Sequence, residues 1–259
     1  MPKRALKTHA TSRARRALAQ ALRHAQRHEL SRWNAFEGAY LQAMRRFDDL
    51  IAAGGVSGGD IRNGKGDAFN DFLVTLVENC SGKKLSTRPD VPGLSFRRHK
   101  LDIAYPDMPA PVELVVETKA AGVPIHPGNI GSQRHIEGRA GSADLEKRVK
   151  EASLKNIDIK AEAARGAGRG GGPTSDLGSW MRAAKPRCYM LMAVRVRDTQ
   201  DLAETINFGH VASVWFDRCG LYAYGWNDAH TAYEAKPVPV TLELDRVLAE
   251  VCSALRNLP

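Results

Sequence analysis

The sequence predicts an α/β protein whose core is a mixed β-sheet flanked by helices, with a helical extension at the N-terminus. Three observations predict this class. Patterns typical of helices and of strands alternate along the 259 residues. The run 188–196 is almost entirely apolar, as is typical of a strand buried in a sheet. Apolar residues make up 43% of the chain, so a packed core is expected.

Helices are predicted where apolar side chains recur at three- and four-residue steps. After a basic helix over 12–30, one helix is marked by Trp33, Phe36, Tyr40, Met44, Phe47 and Ile51. Further helices are expected over 67–80, over 143–164 and at Leu244, Leu248, Val251 and Leu255. Ser142 is the expected N-cap of the helix over 143–164, because a serine hydroxyl can accept a hydrogen bond from a free backbone N–H.

Strands are predicted from short apolar runs bounded by turn residues. A first strand is expected near 94–96. Two adjacent strands, within 99–107 and 112–119, are joined by a proline-rich break. After the strand at 188–196, the segments 211–216 and 221–224 predict a hairpin.

Glycine-rich stretches divide the chain. The stretch 54–66 is interpreted as a connector. The domain boundary is placed within it, so that residues 1–55 form an N-terminal arm with a helical extension and residues 56–259 form one larger domain. The segment 120–142 shows no periodicity, and a loop of this length in a compact domain is usually functional or disordered.

We expect a cytoplasmic protein, because the basic N-terminus lacks the apolar core of a secretory signal. The four cysteines are far apart in sequence, so buried free thiols are expected instead of a zinc site or a disulfide. No apolar run approaches the roughly 20 residues of a membrane span, and no membrane association is expected.

Positive charge is concentrated at the N-terminus. Residues 1–32 hold nine Lys or Arg and one acid, Glu29, which gives +8 of the chain's net +9. A basic segment of this kind favours a polyanionic partner such as a nucleic acid.

The strongest chemical signal lies in the two adjacent strands. Glu117 and Lys119 are two residues apart, so on a strand both side chains point to the same face. Asp102, predicted inside the neighbouring strand, supplies a second carboxylate, with Asp107 near the turn as the alternative. Carboxylates suit Mg²⁺, which prefers oxygen ligands and keeps several waters.

These residue types suit the hydrolysis of a phosphodiester. A bound divalent metal can activate water and neutralise charge on the phosphate. Asp102 and Glu117 are the expected metal ligands, and the backbone carbonyl of Thr118 is a natural third. Lys119 is expected beside the attacking water, where its ammonium can stabilise developing negative charge. On the helix over 67–80, Asp71, or less favourably Glu78, could help to hold a second metal.

The same residues resemble the PD-(D/E)xK nuclease superfamily, and within it the type II restriction endonucleases. The resemblance covers about 60–225 and rests on Asp102, Glu117 and Lys119, on the helix 66–73, and on the segments 144–151 and 155–160. It departs from the family at Asn70, where members often carry Glu. It implies a restriction-endonuclease-like core, dependence on Mg²⁺ (with Mn²⁺ as a substitute), a homodimer, and cleavage of double-stranded DNA that leaves 5′-phosphates.

Candidate DNA contacts follow from composition and position. Arg suits guanine edges, and Asn and Gln suit adenine. The candidates for reading bases are Asn129, Gln133, Arg134, His135, Arg139, Arg165 and Arg169. The candidates for nonspecific phosphate contacts are Arg13, Arg15, Arg16, Arg23, Lys147 and Lys155. Two alternatives stay open: another nuclease of the same chemistry, such as a resolvase, repair or modification-dependent enzyme, and a non-catalytic nucleic-acid-binding protein.

Overall fold

The computed structural model describes residue 33 and the segments 36–52, 58–107, 110–122, 140–166 and 176–259. The helices in this part are α1 Glu37–Ala52, α2 Gly58–Ser81, α3 Leu145–Gly166, α4 Leu177–Ala183, α5 Thr199–Trp215 and α6 Leu244–Arg256. The strands are β1 Ser86–Thr87, β2 Asp90–Val91, β3 His99–Lys100, β4 Ile103–Tyr105, β5 Leu114–Ala121, β6 Arg187–Arg195, β7 Arg218–Trp226 and β8 Tyr233–Lys236. Single 3₁₀ turns lie at Ser142–Asp144 and Val240–Leu242.

Six strands form one mixed sheet in the order β1-β4-β5-β6-β7-β8, and β2 pairs with β3 in a separate two-stranded ribbon. Strand β5 runs antiparallel to β4, with Val116 opposite Ile103. It runs parallel to β6 on its other side, with Glu117 opposite Met190. Strands β6 and β7 are parallel, and β8 closes the sheet antiparallel to β7. The α/β class and the mixed sheet flanked by helices are therefore confirmed.

Helices cover both faces of the sheet, and the alternation along β5 divides two cores. Leu114 and Val116 pack in one core with residues of α1, α2 and α6. Val115 packs in the other with residues of α3 and α5. Because successive side chains of a strand point to opposite faces, Glu117 continues the α3 face and Thr118 continues the α2 face.

The helix over 67–80 is confirmed, but α2 begins at Gly58, so the interpretation of 54–66 as a connector is wrong from that residue onward. Each glycine in a helix costs about 1 kcal/mol relative to alanine. The many glycines of 54–66 therefore favoured the interpretation as a connector. The later turns of α2 outweigh this cost because Phe69, Phe72 and Leu73 are fully buried in the core.

Two strand predictions are wrong. Residues 94–96 lie in an irregular segment between β2 and β3, not in a strand. Residues 211–215 belong to α5, and β7 runs parallel to β6, so the predicted hairpin does not form. The β-branched residues Val211 and Val214 favoured a strand, yet both are exposed, and Gly209 and Ala212 form part of the buried side of the helix.

The predicted N-cap is also wrong, although the helix it introduces is confirmed. Ser142 begins the 3₁₀ turn that precedes α3. Its hydroxyl donates a hydrogen bond to Oε2 of Glu204 at 2.8 Å. Its backbone N–H donates to Asp201 Oδ1 at 2.9 Å, so a tertiary contact with α5 replaces the local cap.

The cysteine prediction holds for one pair and is wrong for the other. Cys188 and Cys219 are buried free thiols. Cys80 and Cys252 form a disulfide, with their Cα atoms 6.0 Å apart. They are 172 residues apart in sequence. The packing of α2 and α6 on the same face of the sheet brings them together.

None of the described helices has both the length and the apolar character that a membrane-spanning segment requires.

Candidate active site

Strand β5 presents Glu117 and Lys119 on the face that α3 covers. The Nζ atom of Lys119 lies 3.0 Å from Oε2 of Glu117. The same atom lies 3.1 Å from Oδ2 of Asp102. The three side chains predicted to act together therefore converge on one point of the sheet.

Asp102 reaches this point from a bend between β3 and β4, not from inside a strand as predicted. Its Oδ2 atom accepts a hydrogen bond from the backbone N–H of Thr118 at 2.8 Å. Its own backbone carbonyl accepts from the N–H of Arg88 at 3.0 Å. The first contact ties the carboxylate to β5 directly beside Glu117, and the second ties the Asp102 backbone to the residue that follows β1.

The alternative acid, Asp107, lies near the other end of the pairing between β4 and β5. Tyr105 is opposite Leu114, so Asp107 falls beyond the start of β5. At about 3.3 Å per residue, this displaces it by several residues from Glu117. Its carboxylate accepts a hydrogen bond from Ser86 Oγ at 2.7 Å. The geometry therefore favours Asp102 over Asp107 as the partner of Glu117.

Three oxygen atoms surround the Lys119 ammonium. Besides the two carboxylates, the backbone carbonyl of Thr118 accepts from Lys119 Nζ at 2.9 Å. These three oxygens are the ones that the sequence predicts as metal ligands. Across the described segments, no group of three or more His, Cys, Asp or Glu side chains is gathered as a metal site. Two carboxylates with a carbonyl still fit Mg²⁺, which takes few protein ligands and completes its shell with water.

The charge on Lys119 is stabilised where it lies. Burial lowers the pKa of the Lys119 ammonium, but the neighbouring carboxylates of Glu117 and Asp102 outweigh burial, so the pKa is raised above its ordinary value. Lys119 therefore stays a cation at neutral pH. It is suited to stabilise negative charge and unsuited to accept a proton.

A second lysine completes the site from α3. Lys155 Nζ lies 3.2 Å from Oε2 and 3.4 Å from Oε1 of Glu117. It also donates to the backbone carbonyl of Lys100 at 3.0 Å. The sequence places Lys155 among nonspecific phosphate contacts, and its contact with Glu117 was missed. The signal was present, because Lys155 follows the buried Ala152 by three residues and precedes the buried Ile159 by four.

The four side chains form a gradient from the core to solvent. The Glu117 side chain is only 2% exposed, and that of Lys119 is 19% exposed. Asp102 is 31% exposed, and Lys155 is 30% exposed. Two carboxylates and two ammonium groups thus form a nearly neutral cluster, open to solvent at Asp102 and Lys155.

Helix α2 contributes Asn70 on the opposite face of β5. The hydroxyl of Thr118 donates to Asn70 Oδ1 at 3.2 Å, and Asn70 is buried. Asp71, the favoured candidate for a second metal, has an exposed side chain. Glu78 accepts from the backbone N–H of Leu85 at 2.9 Å. Asn70, at the position where the resemblance departs from the family, is therefore the one of these three α2 residues for which a contact with Thr118 is observed.

The other candidates divide into two sets. Lys147 and Arg165 are exposed on α3, where Lys147 lies 3.8 Å from Glu151 and Arg165 lies 2.7 Å from Glu162. Neither contact includes a residue of the cluster. The remaining candidates fall outside the described residues, namely Arg13, Arg15, Arg16, Arg23, Asn129, Gln133, Arg134, His135, Arg139 and Arg169.

Comparisons of this chain with models of protein families, with curated proteins and with solved structures found no match.

Proposed function

We propose that this protein is a Mg²⁺-dependent endonuclease that hydrolyses phosphodiester bonds of double-stranded DNA and leaves 5′-phosphates. Within that class we propose a sequence-specific type II restriction endonuclease with a restriction-endonuclease-like core, acting as a homodimer. The observation that carries the proposal is the convergence of Asp102, Glu117 and the Thr118 carbonyl on the ammonium of Lys119.

Each residue has a separate task in this reaction. Asp102, Glu117 and the Thr118 carbonyl would hold Mg²⁺, which supplies an activated water and neutralises charge on the phosphate. Lys119, kept cationic by its neighbours, stabilises the charge that develops on the phosphate as the water attacks. Lys155 orients the Glu117 carboxylate through contacts with both of its oxygen atoms.

Charge supports a polyanionic substrate. The chain carries a net +9, mostly within 1–32. At the site itself, the two lysines balance the two carboxylates, so a bound divalent cation would leave a net positive centre that attracts a phosphate diester. DNA suits both features, because its phosphates bind basic segments without regard to sequence.

The test is to incubate the purified protein with a sequenced circular plasmid and Mg²⁺, and to map the ends of any products. We expect discrete double-strand cuts at a common sequence, with 5′-phosphate ends. Ca²⁺ should support binding without turnover.

Other outcomes would correct or overturn the proposal. Cuts that depend on DNA structure or methylation would keep the chemistry and replace the restriction assignment. Salt-sensitive binding with no cleavage in Mg²⁺ or Mn²⁺, unchanged by Lys119→Ala, would overturn the enzymatic proposal in favour of a binding protein.

A further inference from the structure

The segment between β2 and β3, residues 92–98, exposes large apolar side chains close to the candidate site. Leu94 is 48% exposed and Phe96 is 52% exposed. A single exposed apolar side chain on a protein surface is ordinary. Here two of them occupy one short loop, and Leu154 on α3, also exposed, lies one helical turn before the residue that holds this loop.

The loop is held in place by buried polar contacts and not by burial of its own apolar side chains. The Asp158 carboxylate on α3 accepts from the backbone N–H of Ser95 at 2.7 Å and of Phe96 at 3.2 Å. Nε2 of His99 lies 2.7 Å from Oδ2 of Asp158. Gly93 fits closely against this pair, since a Cβ there would collide with the carboxylate and approach the His99 ring to 2.7 Å.

The carboxylate that anchors the loop is ionised at neutral pH. Burial raises the pKa of Asp158, but hydrogen bonds from His99 and from the backbone of Ser95 and Phe96 outweigh burial, so the pKa is below its ordinary value. The anchor is therefore formed under the conditions in which the protein would act. It presents Leu94 and Phe96 to solvent on a fixed backbone.

The charge around the loop matches a polyanion. The segment 92–100 contains Arg97, Arg98 and Lys100 and no acidic residue, and all three basic side chains are exposed. Arg98 lies 3.9 Å from Asp90, a distant and exposed ion pair that contributes little. Apolar side chains at a tip with basic residues behind them are the arrangement by which many proteins wedge between base pairs while contacting the phosphates.

The position of the loop places such a contact beside the candidate active site. Lys155 Nζ contacts both the Lys100 carbonyl, at the end of β3 that leads away from the loop, and Glu117. Lys100 follows the loop by two residues, and Asp158, which anchors the loop, follows Lys155 by three residues on α3. The loop and the cluster therefore contact neighbouring residues of the same helix. We therefore expect a duplex bound at the cluster to reach this loop.

We infer that Leu94 and Phe96 form an apolar wedge that contacts the bases of bound duplex DNA, while Arg97 and Arg98 contact its phosphates. This inference rests on the proposed function for the identity of the ligand. It assigns to the loop a binding role separate from the hydrolytic residues.

The test compares Leu94→Ser/Phe96→Ser with Val211→Ser/Val214→Ser. The control pair is also exposed and apolar but lies on α5. Binding to a duplex is measured in Ca²⁺, and a 2-aminopurine base in the duplex reports unstacking. The wedge variant should bind about 10- to 100-fold more weakly, as expected for lost contacts with bases, and should lose any fluorescence increase seen with the wild type. The control should match the wild type.

The arginines are tested separately through salt. Arg97→Gln/Arg98→Gln should reduce the slope of log affinity against log salt concentration by about 2, since each phosphate contact contributes about 0.9. An unchanged slope would remove the phosphate contacts from the inference.

The outcomes separate this inference from the proposed function. A wedge variant that binds and cuts like the wild type would overturn the inference and leave the nuclease proposal standing. Wild-type binding that depends on the wedge, with no cleavage, would support the inference and overturn the hydrolytic proposal. A wild-type protein that binds no duplex would overturn both. If the wedge variant instead turns a dimer into a monomer by sedimentation, the loop is a self-association surface and the inference is overturned.

Discussion

The sheet contains the Glu-x-Lys pattern twice, on β5 and on β8, and the two copies differ in their burial. On β5, Glu117 and Lys119 lie 3.0 Å apart, with side chains 2% and 19% exposed. On β8, Glu234 and Lys236 lie 2.7 Å apart, with side chains 50% and 24% exposed. Both pairs share one strand face, as their two-residue spacing requires.

What separates the two patterns is their surroundings. Strand β5 is inside the sheet, with β4 on one side and β6 on the other, whereas β8 is at the edge. The inner pair gains Asp102 from one side and Lys155 from α3. The edge pair is a surface ion pair, a kind that contributes about 0–1 kcal/mol. Spacing alone is therefore weak evidence for a site, and convergence with other elements is the stronger evidence.

The largest expected difference between the two patterns is in catalysis. Lys119→Ala should reduce DNA cleavage by at least about 100-fold, because it removes a cation placed to stabilise developing charge. Duplex binding in Ca²⁺ should be largely retained. Lys236→Ala is the matched control and should cut at the wild-type rate. Equal rates for all three proteins, measured by gel assay in Mg²⁺, would remove any functional distinction between β5 and β8.

A smaller effect is expected at the lysine that only the inner pattern possesses. Lys155→Ala should slow cleavage by about 10- to 100-fold, since a misoriented Glu117 carboxylate disturbs the reacting geometry. Lys150→Ala, on the same helix and exposed beside Glu146, is the control. A positioning role also predicts a partial recovery in Lys155→Arg and an altered dependence of the rate on Mg²⁺ concentration. If the rate falls equally in both alanine variants, the effect comes from the general charge of α3.

Metal binding offers a third contrast that does not depend on activity. The Lys119 ammonium lies between the three oxygens proposed to hold the metal. Its removal should therefore leave Mn²⁺ affinity unchanged or raise it by up to about 10-fold, because a competing positive charge is lost. Titration followed by electron paramagnetic resonance measures this affinity. Lys236→Ala should bind Mn²⁺ like the wild type. Absence of Mn²⁺ binding in both the wild type and Lys119→Ala would contradict the proposed metal site.

The smallest expected effect is on stability. The contributions of the Glu117–Lys119 and Glu234–Lys236 ion pairs should differ in how they depend on pH and on salt. The pKa of Lys119 is raised in the folded protein. The contribution of Lys119 to the free energy of unfolding should be complete below the pKa of a lysine in the unfolded chain, about 10.4. It should be lost only as the pH rises through the higher pKa of Lys119 in the folded protein. The stability difference between wild type and Lys119→Met should thus be constant from neutral to moderately alkaline pH. For Lys236→Met, the difference from the wild type in the free energy of unfolding should be within about 1 kcal/mol and should be reduced by salt.

Denaturant unfolding across this pH range measures both differences. A Lys119 contribution that disappears below the ordinary lysine pKa would contradict the stabilised ammonium. If salt reduced the stability difference for Lys119→Met as much as that for Lys236→Met, the two ion pairs would be equally screened. That result would contradict the contrast in burial between β5 and β8.

The parts of the fold that could be predicted from sequence are those with a clear local period. The apolar run at 188–196 and the helical stripe at 67–80 need no distant partner to be recognised. The segment 211–216 could not be assigned correctly, because its β-branched residues favour a strand locally while the packing of α5 against the sheet decides for a helix. The Cys80–Cys252 disulfide was missed for a related reason, since nothing local relates residues in α2 and α6.

The sequence by itself determined which groups share the face of β5, because a strand alternates its side chains and Glu117 and Lys119 are two residues apart. Only the tertiary structure decided which of the two Glu-x-Lys patterns is enclosed, that Asp102 and not Asp107 lies beside it, and that Lys155 contacts Glu117. The physical reason is that strand order and helix docking depend on contacts between residues far apart in the chain. The hydrophobic periodicity of a single segment does not show which distant residues it will contact.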